Sequence, residues 1–352
     1  MTSDYHGLRV LVTGHTGFKG AWLAEWLLAQ GAVVGGLALP PEGPSLYGDL
    51  GLEDRTRSVM SDILDAGATC RVVADFAPDI VFHLAAQALV RPSYADPAHT
   101  FAVNVMGTVH VIEAARAAPS VKAVVCATSD KCYENAETGR AFAEDDPLGG
   151  KDPYSASKAA AEIVAGSYRR AVLPLDGRPR LATVRAGNVI GGGDRALDRL
   201  IPDLARAFAA GQAPVLRNPG AVRPWQHVLE PLRGYLMVGS ALLGGQDVEG
   251  SWNFGPNADA EVTVGEIAAL FARAWGPSAP EPVVEPSPLS EAGILRLDSA
   301  KAAASLGWRP ALHLDEAVGM TADWWRAFTD DPAGIGAFTR AQIARYEAAV
   351  SG

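Results

Sequence analysis

Short apolar runs alternate with longer amphipathic stretches through the first half of the chain. Residues 8–13, 33–39, 80–84, 121–127 and 181–184 are nearly unbroken apolar runs of strand length, each separated from the next by segments with helical periodicity. Such runs read as strands buried on both faces, and their alternation with helices predicts an α/β fold built on a doubly wound parallel sheet. The regularity stops after Gly187. Gly191-Gly192-Gly193 and the Pro/Arg-rich stretch 217–224 interrupt it, as expected of ligand-contacting loops and a smaller second α/β domain.

The first strand runs into Gly14-His15-Thr16-Gly17-Phe18-Lys19-Gly20 and then into the amphipathic stretch Ala21-Trp22-Leu23-Ala24-Glu25-Trp26-Leu27-Leu28. A strand, a glycine turn and a helix start let the backbone approach a pyrophosphate, whose charge faces the helix N-terminus. Dinucleotide binding in a Rossmann-type domain over residues 1–186 follows. A substrate-binding domain over 187–330 and a helical tail over 331–352 complete the expected division, with a segment around 227–243 returning to the first domain. The second strand ends in Leu37-Ala38-Leu39-Pro40, without the acid that binds a ribose 2′-hydroxyl, so this strand does not itself choose between NAD and NADP.

Composition narrows the classes. The 352 residues carry a net charge of -10, which argues against a nucleic-acid or anionic-membrane surface. No uninterrupted apolar run reaches about 18 residues, and the N-terminus lacks the basic and apolar regions of a secretory signal. Three cysteines without a CxxC pair suit a reducing cytoplasm, and seven histidines without HxxxH or HExxH spacing give no reason to expect a metal.

The chemistry centres on Asp152-Pro153-Tyr154-Ser155-Ala156-Ser157-Lys158. Asp152 can cap a helix and Pro153 suits its first position, so Tyr154 and Lys158 project from one face. A tyrosine acting as base needs its pKa brought from ~10 to near 7, about 4 kcal/mol, and the Lys158 ammonium is a candidate source. The same spacing also arises from a packed tyrosine and a solvated lysine. The strand 121–127 delivers Ser129-Asp130-Lys131 at the sheet edge where ligands bind in such folds. Ser129 could share a hydrogen bond with the phenol, or merely cap a turn.

GxxGxxG together with YxxxK is the pairing seen in short-chain dehydrogenase/reductases. Thr128-Ser129-Asp130-Lys131-Cys132-Tyr133-Glu134-Asn135, His83-Leu84-Ala85-Ala86-Gln87, Arg185-Ala186-Gly187-Asn188-Val189-Ile190-Gly191-Gly192-Gly193-Asp194 and Arg223-Pro224-Trp225-Gln226-His227-Val228 make the chain more specific: it resembles the CDP-glucose 4,6-dehydratase family of extended short-chain dehydrogenase/reductases to about residue 310. The resemblance implies NAD as cofactor and CDP-glucose or a related nucleotide sugar as substrate. It implies that Tyr154, with Ser129 and Lys158, takes the sugar O4 proton as hydride leaves C4. Lys131 then takes the C5 proton, which requires a depressed pKa, and Asp130 protonates the departing C6 hydroxyl.

By the same resemblance, Gly14, Thr16, Gly17, Phe18, Lys19, Gly20, Leu84, Ala85, Ala86, Tyr154 and Lys158 hold the cofactor. Asp62 and Ile63 would bind adenine, although Asp62 also suits a helix cap. Asn188 and Arg223 would contact the pyrophosphate, with Arg199, Leu200 and Arg217 near the base or ribose and Gln87, Ser93 and Asn104 around the sugar. Arg195 stands where the family has an aromatic residue. A nucleotide-sugar 4-epimerase is the alternative; it would use the same tyrosine, lysine and cofactor but has no need of Asp130 and Lys131. Two apolar stripes, Phe101, Val105, Val109 and Ile112, and Ala156, Ala160 and Ile163, predict a homodimer paired across a two-fold axis.

Overall fold

The computed structural model describes residues 4–137, 139–197, 199–285 and 295–351. Its centre is a parallel sheet of seven strands: β1 (Arg9–Thr13), β2 (Val33–Ala38), β3 (Arg57–Met60), β4 (Ile80–His83), β5 (Ala123–Ala127), β6 (Arg180–Ala186) and β9 (Gly250–Phe254). The spatial order is β9-β6-β5-β4-β1-β2-β3, every neighbouring pair parallel. The order reverses between β1 and β4, which opens a crevice at the carboxyl ends of these strands. Side chains of β1 alternate between two cores: Val10 and Val12 pack on one face with Trp22, and Leu11 packs on the other with Val73 and Val111.

All five apolar runs are strands of this sheet. Two further strands escaped the pattern. β3 is an edge strand whose side chains are mostly exposed, and β9 buries the polar Asn253 between Trp252 and Phe254, so neither shows an apolar run.

Beyond Ala186 the chain bends at Gly187 into β7 (Asn188–Ile190), which pairs with β8 (Val222–His227); β10 (Glu261–Thr263) completes a small separate sheet. β8 leads into α6 (Leu229–Leu243), which is buried along most of its length and feeds β9 back beside β6. The helices used below are α1 (Phe18–Ala29), α2 (Ala66–Phe76), α3 (Gly107–Ala117), α4 (Pro153–Ser167) and α5 (Leu200–Ala209), with α7 (Val264–Trp275), α8 (Leu314–Asp330) and α9 (Ile335–Ser351) towards the C-terminus. The tail returns to the first helix: the Trp26 indole of α1 donates to Glu347 of α9 at 2.6 Å and meets the Tyr346 ring edge-on.

The expected apolar stripes require one correction. Ile112 lies in the core between α3 and the sheet, fully buried, and does not belong to an outward stripe. Phe101, Val105 and Val109 on one segment and Ala156, Ala160 and Ile163 on α4 keep partial or full exposure.

Candidate active site

The dinucleotide loop closes over the crevice. Gly14 follows β1 with φ of 75°, and a Cβ there would stand 2.7 Å from the Ala85 nitrogen, so only glycine lets the loop lie against the end of β4. That end is pinned in turn: Leu84 N–H donates to the Thr13 carbonyl at 3.1 Å and Ala85 N–H to the Thr13 hydroxyl at 3.2 Å, with Ala86 following. Gly17 caps α1 and is exposed, presenting the helix start with Phe18, Lys19 and Gly20 in its first turn. Thr16 does not face outward; its hydroxyl donates to the Leu39 carbonyl at the end of β2. Beneath Gly36 of β2 lies a buried polar cluster: His15 meets the Ser58 hydroxyl of β3 at 2.8 Å, and Tyr47 donates to the same oxygen at 2.9 Å. Burial holds His15 down at about 4, hence neutral. Just past β3, Asp62 accepts from the Leu64 N–H at 2.9 Å as a turn residue, and the Ile63 side chain is buried under α3.

The catalytic helix α4 starts as its sequence dictates. Asp152 accepts from the Ser155 N–H at 2.9 Å and Pro153 takes the first position. Tyr154 and Lys158 then share its buried face, and the turn 129–131 at the end of β5 lies against it. Ser129 donates to Asp130 at 2.9 Å and accepts the Lys131 N–H at 3.2 Å. Gly187 makes room for Asp130, since a Cβ there would stand 2.8 Å from the carboxylate. Lys131 is half-buried beside Asp130.

The electrostatics correct one expectation. Tyr154 is not lowered overall: burial pushes its phenol up to about 12, and a hydrogen bond with Ser129 and the charge of Arg199 oppose this without reversing it. Lys158 is itself destabilised as a cation, drawn down to about 8 by burial, and its ammonium donates to the Ala127 carbonyl at 3.4 Å. Burial raises the Asp130 carboxyl above its ordinary range, with Lys131 and Ser129 pulling the other way. A desolvated carboxyl of this kind favours its protonated, donating form. Lys19 lies in the same electrostatic neighbourhood, brought to about 8 by burial and then by Arg199 and offset by Asp130. Its charge therefore faces the catalytic groups as well as the loop.

The sugar-side residues split. Ser93 is buried behind α4, accepting the Tyr154 N–H at 3.2 Å and donating to the Val90 carbonyl at 2.6 Å. Asn104 sits in a π-helical turn, Ala102–Met106, and spends both amide N–H groups on the Gln87 carbonyl and the Ser157 hydroxyl, at 3.0 and 2.8 Å. Gln87 is folded onto Leu89 and Thr100. The polar groups of all three help to hold the end of β4 against α4.

On the opposite side, Asn188 begins β7, Arg199 caps α5 and pairs with Asp194 at 2.9 Å, and Leu200 follows it. The charge of Arg199 also favours the Tyr154 phenolate. Arg217 lines an open hollow of about 430 Å³ with Leu197, Asp203, Arg206 and Val215. Arg223 lies on β8, donating to the Val222 carbonyl at 2.8 Å. Arg195 pairs with Asp49 at 2.6 Å and stacks over Phe328 and Trp325 of α8. Among the described residues no group of three or more His, Cys, Asp or Glu could hold a metal ion. Sequence reasoning missed Glu162 and Arg185, which meet at 2.8 Å behind this site. The available signal was the spacing of Glu162, one further turn beyond Lys158.

A family model described as GDP-mannose 4,6 dehydratase matches residues 11–321. The chain belongs to this family. Within it, a CDP-glucose 4,6-dehydratase of Salmonella typhimurium is 47% identical over 331 residues, covering 92% of each chain. A UDP-glucose 4-epimerase of Mycolicibacterium smegmatis is 31% identical, covering 91% of this chain and 99% of its own. Among solved structures, the dTDP-glucose 4,6-dehydratase DesIV of Streptomyces venezuelae, with NAD bound, superposes with a TM-score of 0.78 at 27% identity, covering 91% of this chain and 97% of its own. The relatives of this chain thus include both reaction types that the sequence left open. Within the described residues, no helix is long and apolar enough to cross a membrane.

Proposed function

We propose that the protein is an NAD-dependent lyase that converts CDP-D-glucose to CDP-4-keto-6-deoxy-D-glucose and water. The observation that carries this reading is Asp130: a buried carboxyl with a raised pKa, beside Ser129 and opposite Tyr154. An epimerase needs a base for O4 but no second acid. The relative at 47% identity, a CDP-glucose 4,6-dehydratase, supports the choice of nucleotide sugar.

The residues present fit a dinucleotide. Gly14 leaves a cradle that a Cβ would fill, and the exposed Gly17 opens α1 towards a pyrophosphate. His15, buried beneath β2 and held neutral, adds no cation there for a 2′-phosphate. When bound, NAD supplies the hydride acceptor for C4, the hydride donor for C6 and a positive charge beside the tyrosine. Tyr154 removes the O4 proton, steadied by Ser129, and Lys158 and Arg199 favour its phenolate. Lys131 takes the C5 proton made acidic by the 4-ketone and returns a proton to C5 when C6 receives the hydride. Asp130 gives its proton to the leaving C6 hydroxyl. Arg223 and Asn188 are assigned to the pyrophosphate, and Arg217 and Leu200 to the nucleoside end.

We also propose that residues 1–186, with the returning segment 227–243, form the NAD-binding part and 187–330 the nucleotide-sugar part. β9 extends the cofactor sheet after that return. A homodimer through the exposed faces of Phe101, Val105, Val109, Ala156, Ala160 and Ile163 is part of the same reading, as is a cytoplasmic setting for three free thiols.

The test is turnover of CDP-glucose carrying deuterium at C4. The label should appear in the C6 methyl group of a 4-keto-6-deoxy product. Label retained at C4 of an epimerised sugar would replace the dehydratase with the epimerase.

A further inference from the structure

Behind the catalytic groups lies a fully buried ion pair that the proposed chemistry does not use. Arg185 of β6 grips Glu162 of α4 with two parallel hydrogen bonds, Nε to Oε1 and Nη2 to Oε2, each 2.8 Å, and both side chains are about 2% exposed. A buried pair of this kind survives only when its remaining hydrogen-bonding capacity is met. Here its partners are the two ends of the catalytic turn. Thr128, immediately before Ser129, donates its hydroxyl to Glu162 Oε1. Tyr133, just beyond Cys132, accepts from Arg185 Nη1 at 2.6 Å, lies under the guanidinium, and donates to Asn253 of β9 at 2.8 Å. Thr183 of β6 adds a donor to Glu162 at 2.8 Å. The turn 129–131 is thus clamped at both ends to one carboxylate–guanidinium unit. The carboxylate sits on the same helix as Tyr154 and Lys158, one turn past the lysine.

We infer that the Glu162–Arg185 pair is a positioning unit: it fixes the register of α4 against the turn that carries Ser129, Asp130 and Lys131, and it presents a carboxylate to the Lys158 ammonium. The inference rests on the dehydratase reading for its kinetic part; its electrostatic part rests on Glu162 standing one turn from Lys158 on the same buried helix face, where its charge favours the ammonium. The groups facing Lys158 come from several elements: Cys126 on β5, Cys132 after the turn, His83 on β4 and Lys19 on α1, besides Tyr154 and Glu162 on its own helix. Of these, His83 is held neutral by burial, and burial also raises both thiols, so Glu162 is the anion and Lys19 the opposing cation. Removing the carboxylate charge therefore moves Lys158 in one direction, downward.

Two variants and two readouts test this. In Glu162→Gln, the midpoint of Lys158, followed by NMR of 13C-lysine-labelled protein and assigned with Lys158→Met, should fall by about one unit. In the double variant Glu162→Met/Arg185→Met, which leaves no unpaired charge and should keep a cooperative melt, kcat on CDP-glucose should fall about tenfold with KM within about twofold, since the clamp acts on the reacting groups and not on the nucleotide. An unmoved Lys158 midpoint, or a double variant with the wild-type kcat, would reduce the pair to packing and overturn the inference. If the wild-type protein leaves CDP-glucose untouched, the proposed reaction fails alone, and the Lys158 titration still decides the pair.

Discussion

The two faces of α4 are opposites, and not in the way helix patterning leads one to expect. The buried face carries Tyr154, Ser155, Ser157, Lys158 and Glu162, while the outward face carries Ala156, Ala160 and Ile163, the last 58% exposed. An ordinary surface helix buries its apolar stripe and turns its charges to water. Here the inward side is titratable because chemistry is done there: Lys158 and Glu162 are answered by β5 and β6, Ser155 by the Asp152 cap, and Ser157 by Asn104 and the Tyr154 carbonyl. The outward side is apolar and, among the described residues, is covered only in part at Ala156 and Ala160 and left open at Ile163. One helix thus serves a catalytic centre on one face and a proposed partner copy on the other, and each face can be broken without the other.

The inward face should break hardest. Tyr154→Phe removes the base for O4, so C4 oxidation and product formation should both fall by about 10³-fold or more, with no enzyme-bound reduced nicotinamide seen by absorbance. Substantial oxidation in that variant would relocate the base. Asp130→Asn cuts more finely. It keeps Tyr154, so C4 oxidation should proceed, while loss of the C6 hydroxyl slows by a few hundredfold, on the order of general-acid contributions. Reduced cofactor should then accumulate on the enzyme; a variant that is slow but accumulates none would place Asp130 outside the elimination.

The outward face should break without touching chemistry. Ile163→Asp sets a carboxylate on the exposed apolar stripe, and in a symmetric interface the charge enters from both copies. Sedimentation or light scattering should show the dimer dissociation constant raised by about a hundredfold, roughly 3 kcal/mol, with the folded protomer intact. A wild-type chain that stays monomeric at high concentration would remove the interface altogether.

This contrast also explains what could be read from the chain. Sheet strands buried on both faces announce themselves, so residues 80–84 and 121–127 were legible, whereas the exposed β3 and the Asn253-bearing β9 were not. The capped start of α4 was legible because Asp152 and Pro153 have local roles that need no tertiary context. Burial is not local. The phenol of Tyr154 rises to about 12 because the fold desolvates it, which no spacing of Tyr154 and Lys158 could reveal. The surroundings of Gln87, Ser93 and Asn104 were illegible for the same reason: their partners come from distant segments. Ile112 obeyed helical periodicity but faced the wrong way, since a stripe on α3 does not say which of two neighbours it meets.

The smallest expected effect concerns stability, and it separates a catalytic lysine from a packing one. Lys158 titrates at about 8 in the fold against 10.5 for an ordinary lysine, so between these values the unfolded chain binds the proton that the folded chain has released. Folding stability from this group therefore rises as pH increases from about 8 to 10.5, and the full penalty is carried below pH 8. At about 1.4 kcal/mol per unit the penalty is about 3 kcal/mol, of which imperfect repacking should leave about 2 kcal/mol to be gained by Lys158→Met at pH 7. Denaturant unfolding without cofactor should show the inactive variant to be more stable than wild type at pH 7, with the advantage shrinking by pH 10. Equal stabilities at pH 7 would mean that Lys158 reaches water in solution, and that its ammonium is free to stay charged without help from Glu162.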